Sequence, residues 1–387
     1  MNNKKKNLKI YLIATEASGD VIGSNLIKTL KKIKKKRIKF YGIGGPKMIN
    51  SGLNKSLFPI KELSIFGIFE AIPKIYRAYS LIKMTVKNLI KIQPNILITI
   101  DSPDFNFRIL KRISNKIPFT KKIHYVAPTV WAWRSGRAKH LSNYIDKLLT
   151  ILPFENKYFT KFNLKTQFVG HPIYEINKDK KINKKKLFLK YKIRKGKKII
   201  SFLPGSRLSE LEKSMPVFIK TLKLMKNYSS HNVHVLFYIL PHLKKYFKKY
   251  KLDVPHSLVD QIDKYDAFKI SHAAISTSGT VALELSYFKI PTIVIYKLNI
   301  FSYLIAKIFV KIKYANVLNI LENKYIIPEF LQFKCRPELI VNEIFKLLNK
   351  NSYAKKQVYK SQKSLLKLKC NNRLPSFNAV NEIINDF

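Results

Sequence analysis

Several short stretches of this chain set acids, hydroxyls, glycines and arginines where an apolar run ends and a helical pattern begins. The run over 199–203 ends in Pro204-Gly205-Ser206-Arg207, and a helical pattern opens at Leu208. Backbone N–H groups and the helix dipole at such a junction point at an anion, and a guanidinium adds a planar, bidentate cation, so the turn suits a phosphate. A strand, a turn and a helix with a surface arginine give the same pattern, and this stretch alone does not choose between them. Ser276-Thr277-Ser278-Gly279-Thr280 repeats the logic, with Glu284 about one turn into the next helix. Ser278, Gly279 and Thr280 could take a diphosphate and Glu284 ribose hydroxyls; an N-cap and a first-turn acid explain the same residues. Two such turns in one half of the chain favour a nucleotide.

The acids stand at other strand ends. Glu16-Ala17-Ser18-Gly19-Asp20 follows an apolar run over 8–15. Ser18 or Asp20 as N-cap would account for everything except Glu16, a carboxylate at the strand's carboxyl end. Asp101-Ser102-Pro103-Asp104 ends a run over 95–101. Asp104 is expected to cap the helix over 105–113, which leaves Asp101, at the tip, as the general-base candidate. Trp131-Ala132-Trp133-Arg134 holds both tryptophans of the chain, with Arg137 close behind. Aromatics beside cations suit a sugar face and a phosphate, and equally a core tryptophan pair beside surface arginines. Gly170-His171-Pro172 reads as a hinge. No Asp-x-Asp pair occurs, and neither a metal nor a cofactor is expected.

The elements that must position these residues alternate strand and helix along the whole chain, which predicts parallel sheets with crossover helices. The polar, charge-dense stretch 176–186 separates two such runs. The expected architecture is α/β, with two doubly wound Rossmann-like domains facing across a cleft: 1–175, 176–335, and a helical tail 336–387 packing back on the first domain. Ligands are then expected at the carboxyl ends of the strands.

Composition narrows the class. The chain has 74 Lys plus Arg against 23 acids, a net charge of +51, which invites a nucleic-acid reading. Yet 64 of the cations are lysine, scattered through nearly every polar stretch, whereas base and phosphate readers lean on arginine. The charge is better read as compositional drift that leaves attraction to anionic surfaces. No run reaches the ~18 apolar residues of a membrane span, no signal peptide is read at the start, and the two cysteines lack metal or disulfide spacing, which fits a reducing cytoplasm. The apolar stretches 64–73 and 300–310, with lysines nearby, are core or lipid-facing.

Taken in order, Glu16-Ala-Ser-Gly-Asp20, Gly44-Gly-Pro46, the stretch 62–67, Asp101-Ser-Pro-Asp104, the stretch 124–134, Leu152-Pro-Phe-Glu155, Phe168-Val-Gly-His-Pro172, Pro204-Gly-Ser-Arg207, Ser278-Gly-Thr280 with Glu284, and Tyr314-Ala-Asn316 resemble the lipid-A-disaccharide synthase family over most of the chain. The resemblance implies a GT-B glycosyltransferase of lipopolysaccharide assembly, joining UDP-2,3-diacylglucosamine to 2,3-diacylglucosamine 1-phosphate with inversion. It implies Asp101 on the acceptor hydroxyl, Arg207 by the UDP phosphates, and Glu16, Ser18, Asn316 and Glu284 lining the cleft. Thr15 departs from the family pattern, which has Gly before the Glu. Peripheral contact with the cytoplasmic face of the inner membrane follows from the lipid substrates, no nucleic-acid partner is expected, and a homo-oligomer is left open. The rivals are another GT-B UDP-sugar enzyme, such as a peptidoglycan glucosaminyl transferase or an epimerase, and a basic membrane or nucleic-acid binder without catalysis.

Overall fold

The computed structural model describes residues 7–33, 38–64, 71–133, 135–228, 233–277, 279–310 and 312–385. Its contacts divide the chain into two compact units, Met1–Glu175 with Leu368–Phe387, and Ile176–Lys367.

The first unit holds a six-stranded parallel sheet built from β1 (Leu8–Ala14), β2 (Ile38–Ile43), β3 (Ile96–Ile100), β4 (Lys121–Tyr125), β5 (Lys147–Thr150) and β6 (Lys165–Phe168), in the order β2-β1-β3-β4-β5-β6. Its central strands are continuous apolar runs because crossover helices cover both faces. The two-residue period still shows: Ile10, Leu12 and Ala14 enter one buried cluster, Tyr11 and Ile13 the other.

The second unit repeats the plan with β7 (Lys198–Leu203), β8 (Val233–Phe237), β9 (His256–Leu258), β10 (Ala273–Thr277), β11 (Thr292–Tyr296) and β12 (Glu329–Leu331), ordered β12-β11-β10-β7-β8-β9. β9 and β12 are three-residue edge strands, too short to carry a sequence signal. Strand order reverses between β1 and β3 in one sheet and between β7 and β10 in the other. At these switch points adjacent crossovers leave in opposite directions and the strand ends stay open, the usual seat of a ligand.

The tail corrects the expectation that 336–387 packs as a whole on the first domain. Helix Pro337–Asn349 places Ile340, Val341, Ile344 and Leu347 in the second unit's core, and Gln357 of helix Asn351–Leu366 clasps the backbone of Thr292, accepting from its N–H at 2.7 Å and donating to its carbonyl at 3.0 Å. Of the tail, only helix Pro375–Ile384 joins the first unit, with Ala379, Val380 and Ile383 in a cluster shared with helix Ala17–Ile33. Three methylene-scale groups lost from a fully buried side chain leave a cavity, so Ile383→Ala should lower the unfolding free energy of the first unit by about 2–4 kcal/mol in chemical denaturation.

Candidate functional site

At the first switch point, Glu16 follows β1 and Asp101 follows β3. Helix Ala17–Ile33 starts earlier than expected, so Ser18 is an exposed residue of its first turn and neither Ser18 nor Asp20 is its N-cap. Asp20 works elsewhere. It is buried, and its carboxylate accepts the N–H groups of Gly45 (2.8 Å), Met48 (2.9 Å) and Lys47 (3.1 Å), capping the neighbouring helix Pro46–Ser51. A Cβ at Gly45 would meet that carboxylate at 2.5 Å, which accounts for glycine at that position. Thr15 is buried while Glu16 beside it is exposed.

Asp101 and Ser102 both lie in the left-handed region, at φ +53° and +45°. For residues with a Cβ this costs roughly 1–2 kcal/mol each, and the surroundings enforce it. Asp101 N–H donates to the Tyr125 carbonyl (2.9 Å), buried Asn106 donates its side-chain amide to the Asp101 carbonyl (2.6 Å), and Ser102 N–H donates to Asp101 Oδ1 (2.7 Å). Ser102 Oγ also donates to Glu16 Oε1 (3.3 Å), so one serine links the two carboxylates. Burial pushes the Asp101 carboxyl above its ordinary range, the Glu16 charge adds to this, and the Ser102 N–H partly offsets it. A base moved toward working pH beside an open strand end is equipped to take a proton.

Asp104 does not cap its helix. The helix runs Pro103–Ile113 with Ser102 at the N-cap position, because proline fits the first helical turn, and Asp104 sits one residue inside it. There it pairs with Arg137 (2.5 Å), whose guanidinium lies 5.7 Å from the Trp133 ring centre. Trp133 is exposed. Trp131 instead donates its indole N–H to Glu155 (3.2 Å) and packs edge-on against Phe154. The tryptophans thus divide, one structural and one presented to solvent. Arg134 and Ser278 lie outside the described residues. His171 is buried and neutral, its pKa lowered by burial to about 4, and its Nδ1 accepts the Ile173 N–H, as a rigid turn requires.

Sequence reasoning places Glu155 in a motif but gives it no role. It is buried, with its pKa raised by burial to about 7, and it accepts the N–H groups of Leu152 (3.0 Å) and Ile151 (3.3 Å).

At the second switch point, Gly205 follows β7 with φ +107° and Gly279 follows β10 with φ +130°, values that favour glycine. Ser206 and Arg207 do present their N–H groups to an anion, and one is already there: Glu210 Oε2 accepts them at 2.8 and 3.3 Å. Its three-residue spacing from Arg207 is half of a capping box and was the available signal. The Arg207 side chain is 74% exposed, and its 3.6 Å contact with Glu210 leaves the guanidinium largely free for a ligand. Around Gly279 a Cβ would meet nothing within 4 Å, and Thr280 is exposed at the start of helix Thr280–Tyr287.

Glu284 is already engaged, accepting from the Tyr265 hydroxyl (3.2 Å) and paired with Lys264. Asn316 is 1% exposed; its Oδ1 caps helix Val317–Glu322 by accepting the Leu318 N–H (2.8 Å). Glu329 accepts from the N–H groups of Ala315 and Asn316 and from the Asn319 amide (2.9, 2.7 and 2.7 Å), so the motif around Asn316 is first a structural knot.

Two six-stranded parallel sheets with interleaved helices, each with its own switch point, define the GT-B class. Solved structures share the fold: a UDP-GlcNAc 2-epimerase from Neisseria meningitidis bound to UDP-GlcNAc has a TM-score of 0.63 at 12% identity, covering 98% of each chain. A glycosyltransferase from Rickettsia africae has a TM-score of 0.59 at 14% identity, covering 99% of this chain and 100% of that one. The family model described as lipid-A-disaccharide synthetase matches residues 10–382. The lipid-A-disaccharide synthase of Rickettsia akari is 39% identical over 98% of this chain and 96% of its own, and that of Rhodospirillum centenum 36% identical over 91% and 88%. The chain belongs to the lipid-A-disaccharide synthase family and is a glycosyltransferase of lipid A disaccharide formation.

The Glu16-to-Asp20 motif therefore separates into a solvent-facing acid and a structural one. Asp20→Ala should cost about 1–3 kcal/mol in thermal or urea unfolding by orphaning buried N–H groups, whereas Glu16→Ala should leave stability nearly unchanged.

Proposed function

We propose that this enzyme joins UDP-2,3-diacylglucosamine to 2,3-diacylglucosamine 1-phosphate, giving the β-linked disaccharide 1-phosphate and UDP, at the cytoplasmic face of the inner membrane. The observation that carries the reading is the Asp101 carboxyl, raised by burial and by Glu16 at an open strand end. In an inverting transfer the acceptor hydroxyl attacks the anomeric carbon as the UDP oxygen departs from the opposite face. Asp101 takes the hydroxyl proton, a service worth roughly 10²–10⁴-fold. Glu16 keeps Asp101 basic enough and, through Ser102, oriented. Arg207 and the turns carrying Ser206, Ser278, Gly279 and Thr280 meet the charge that grows on the diphosphate. Glu284 addresses the ribose from its pairing with Lys264 and Tyr265, and Trp133, Arg134 and Asp104 border the acceptor. Ser18, exposed beside Glu16, supplies a further hydroxyl, and Asn316 holds its segment in place by capping.

The test is incubation with the two acylated glucosamines in detergent, following UDP and disaccharide. Turnover should be insensitive to EDTA. Asp101→Ala should lose roughly 10²–10⁴-fold in kcat, and Asp101→Asn should melt no lower than the parent at neutral pH. The sign follows from the raised folded pKa: the ionised carboxylate costs stability above that pKa, and the amide removes the cost. Near-normal turnover by either variant would remove Asp101 from the reaction. Because the Glu16 charge raises Asp101, Glu16→Gln should move the acid limb of the pH–kcat/KM profile to lower pH. Arg207→Ala should lose on the order of 10²-fold in kcat/KM, with Arg207→Lys in between.

A further inference from the structure

Between β11 and the Asn316 cap, the chain passes through helix Ile300–Phe309. A helix packed on a parallel sheet buries its apolar side, yet here Ile300, Leu304 and Ile308 are 49%, 49% and 75% exposed. Their i, i+4, i+8 spacing makes them one line along the helix. Phe309 at its last position and Val310 just past it, 59% and 38% exposed, extend the apolar surface. The helix is nonetheless anchored. Tyr303 packs edge-on against Phe333 with ring centres 5.5 Å apart. Gln332 clasps Leu298 just before the helix, accepting its N–H at 2.9 Å and donating to its carbonyl at 3.2 Å. Phe333 is itself 69% exposed and adds to the same surface. Residues 297–313 carry four lysines and no acid, and Lys297, Lys307 and Lys313 are exposed, as is Lys334 beside Phe333.

We propose that helix Ile300–Phe309, with Phe333, is an element that seats this protein on an anionic lipid bilayer. The aliphatic line and Phe309 enter the acyl boundary while the surrounding lysines meet lipid phosphates, the division of labour of an interfacial helix. The charge pattern selects this occupant. A second copy would bring the same lysines against each other, and a nucleic acid would have no use for an exposed aliphatic line. The inference deepens the membrane part of the proposed function and does not depend on the transfer chemistry.

The test is flotation of the full chain with vesicles of phosphatidylcholine alone or mixed equally with phosphatidylglycerol. The parent should bind the anionic vesicles more tightly, and added salt should weaken binding. The combined Leu304→Ser, Ile308→Ser, Phe309→Ser variant should lose about tenfold or more in partition coefficient, equivalent to about 1.4 kcal/mol, with an unchanged melting temperature and unchanged turnover of detergent-dispersed substrates. Lys307→Glu should weaken binding to anionic vesicles only. Equal flotation of parent and triple variant would overturn the proposal. So would retained flotation with a smaller particle mass in light scattering, which would make this face a contact between copies. Retained flotation with lost turnover in detergent would reassign it to the acyl chains of a substrate. A parent that floats but releases no UDP from the acylated sugars would instead overturn the transfer reading.

Discussion

A parallel sheet whose strand order reverses must leave two neighbouring strand ends uncovered, because the crossovers on either side turn away from each other. The chemistry of this protein hangs on that constraint. In the first sheet the open pair is β1 and β3, and it carries Glu16 and Asp101; in the second it is β7 and β10, which carry the Arg207 and Gly279 turns. Backbone at such an end has no neighbour to dictate its direction and can be bent to aim a side chain. The first sheet uses this freedom heavily: Asp101, Ser102 and β-branched Val126, just past β4, all have positive φ. Such conformations persist only where the surroundings leave no alternative. Here the Tyr125 carbonyl and the Asn106 amide fix Asp101, and the Val126 N–H is held by the Leu149 carbonyl (3.0 Å).

Acids carry unusual weight in a chain with 23 of them among 74 lysines and arginines. Asp20, Glu155, Glu210 and Glu329 each accept two or more N–H groups at the ends of helices or strands. A carboxylate that collects several donors in one place fixes a turn more firmly than a single cap. These four acids fix loop geometry, while the lysines mostly solvate.

Much of this was legible in the sequence, for identifiable reasons. Continuous apolar runs ending in Gly, Ser or Asp marked the central strands, the two-sheet plan and the turns at both switch points. Edge strands β9 and β12 were hidden because three residues carry no period. Helix starts were misjudged where a motif served two elements. Asp20 looks like a cap for the helix that contains it, and only the fold reveals that it caps another. Glu155 and Glu329 were given no role because most of their partners are backbone groups, which leave no trace in residue types. Asn316 shows the opposite failure: its motif is distinctive, but the side chain is buried as a cap.

The order in which the first unit's parts occur along the chain has a consequence for synthesis. Its sheet is finished at Phe168, but the helix that completes the cover of one face, beside helix Ala17–Ile33, spans Pro375–Ile384, after the whole of the second unit. At a ribosomal pace of roughly 5–20 residues per second, the 192 residues from 176 to 367 take about 10–40 s to emerge. For that interval the cluster that helix Ala17–Ile33 shares with the sheet lacks Ala379, Val380 and Ile383, and the Val169 carbonyl and the Lys147 side chain lack Asn378 and Glu382. The nascent chain therefore carries a partly uncovered apolar cluster through half of its own translation, and a ribosome-associated holdase has a defined surface to shield until the last helix arrives.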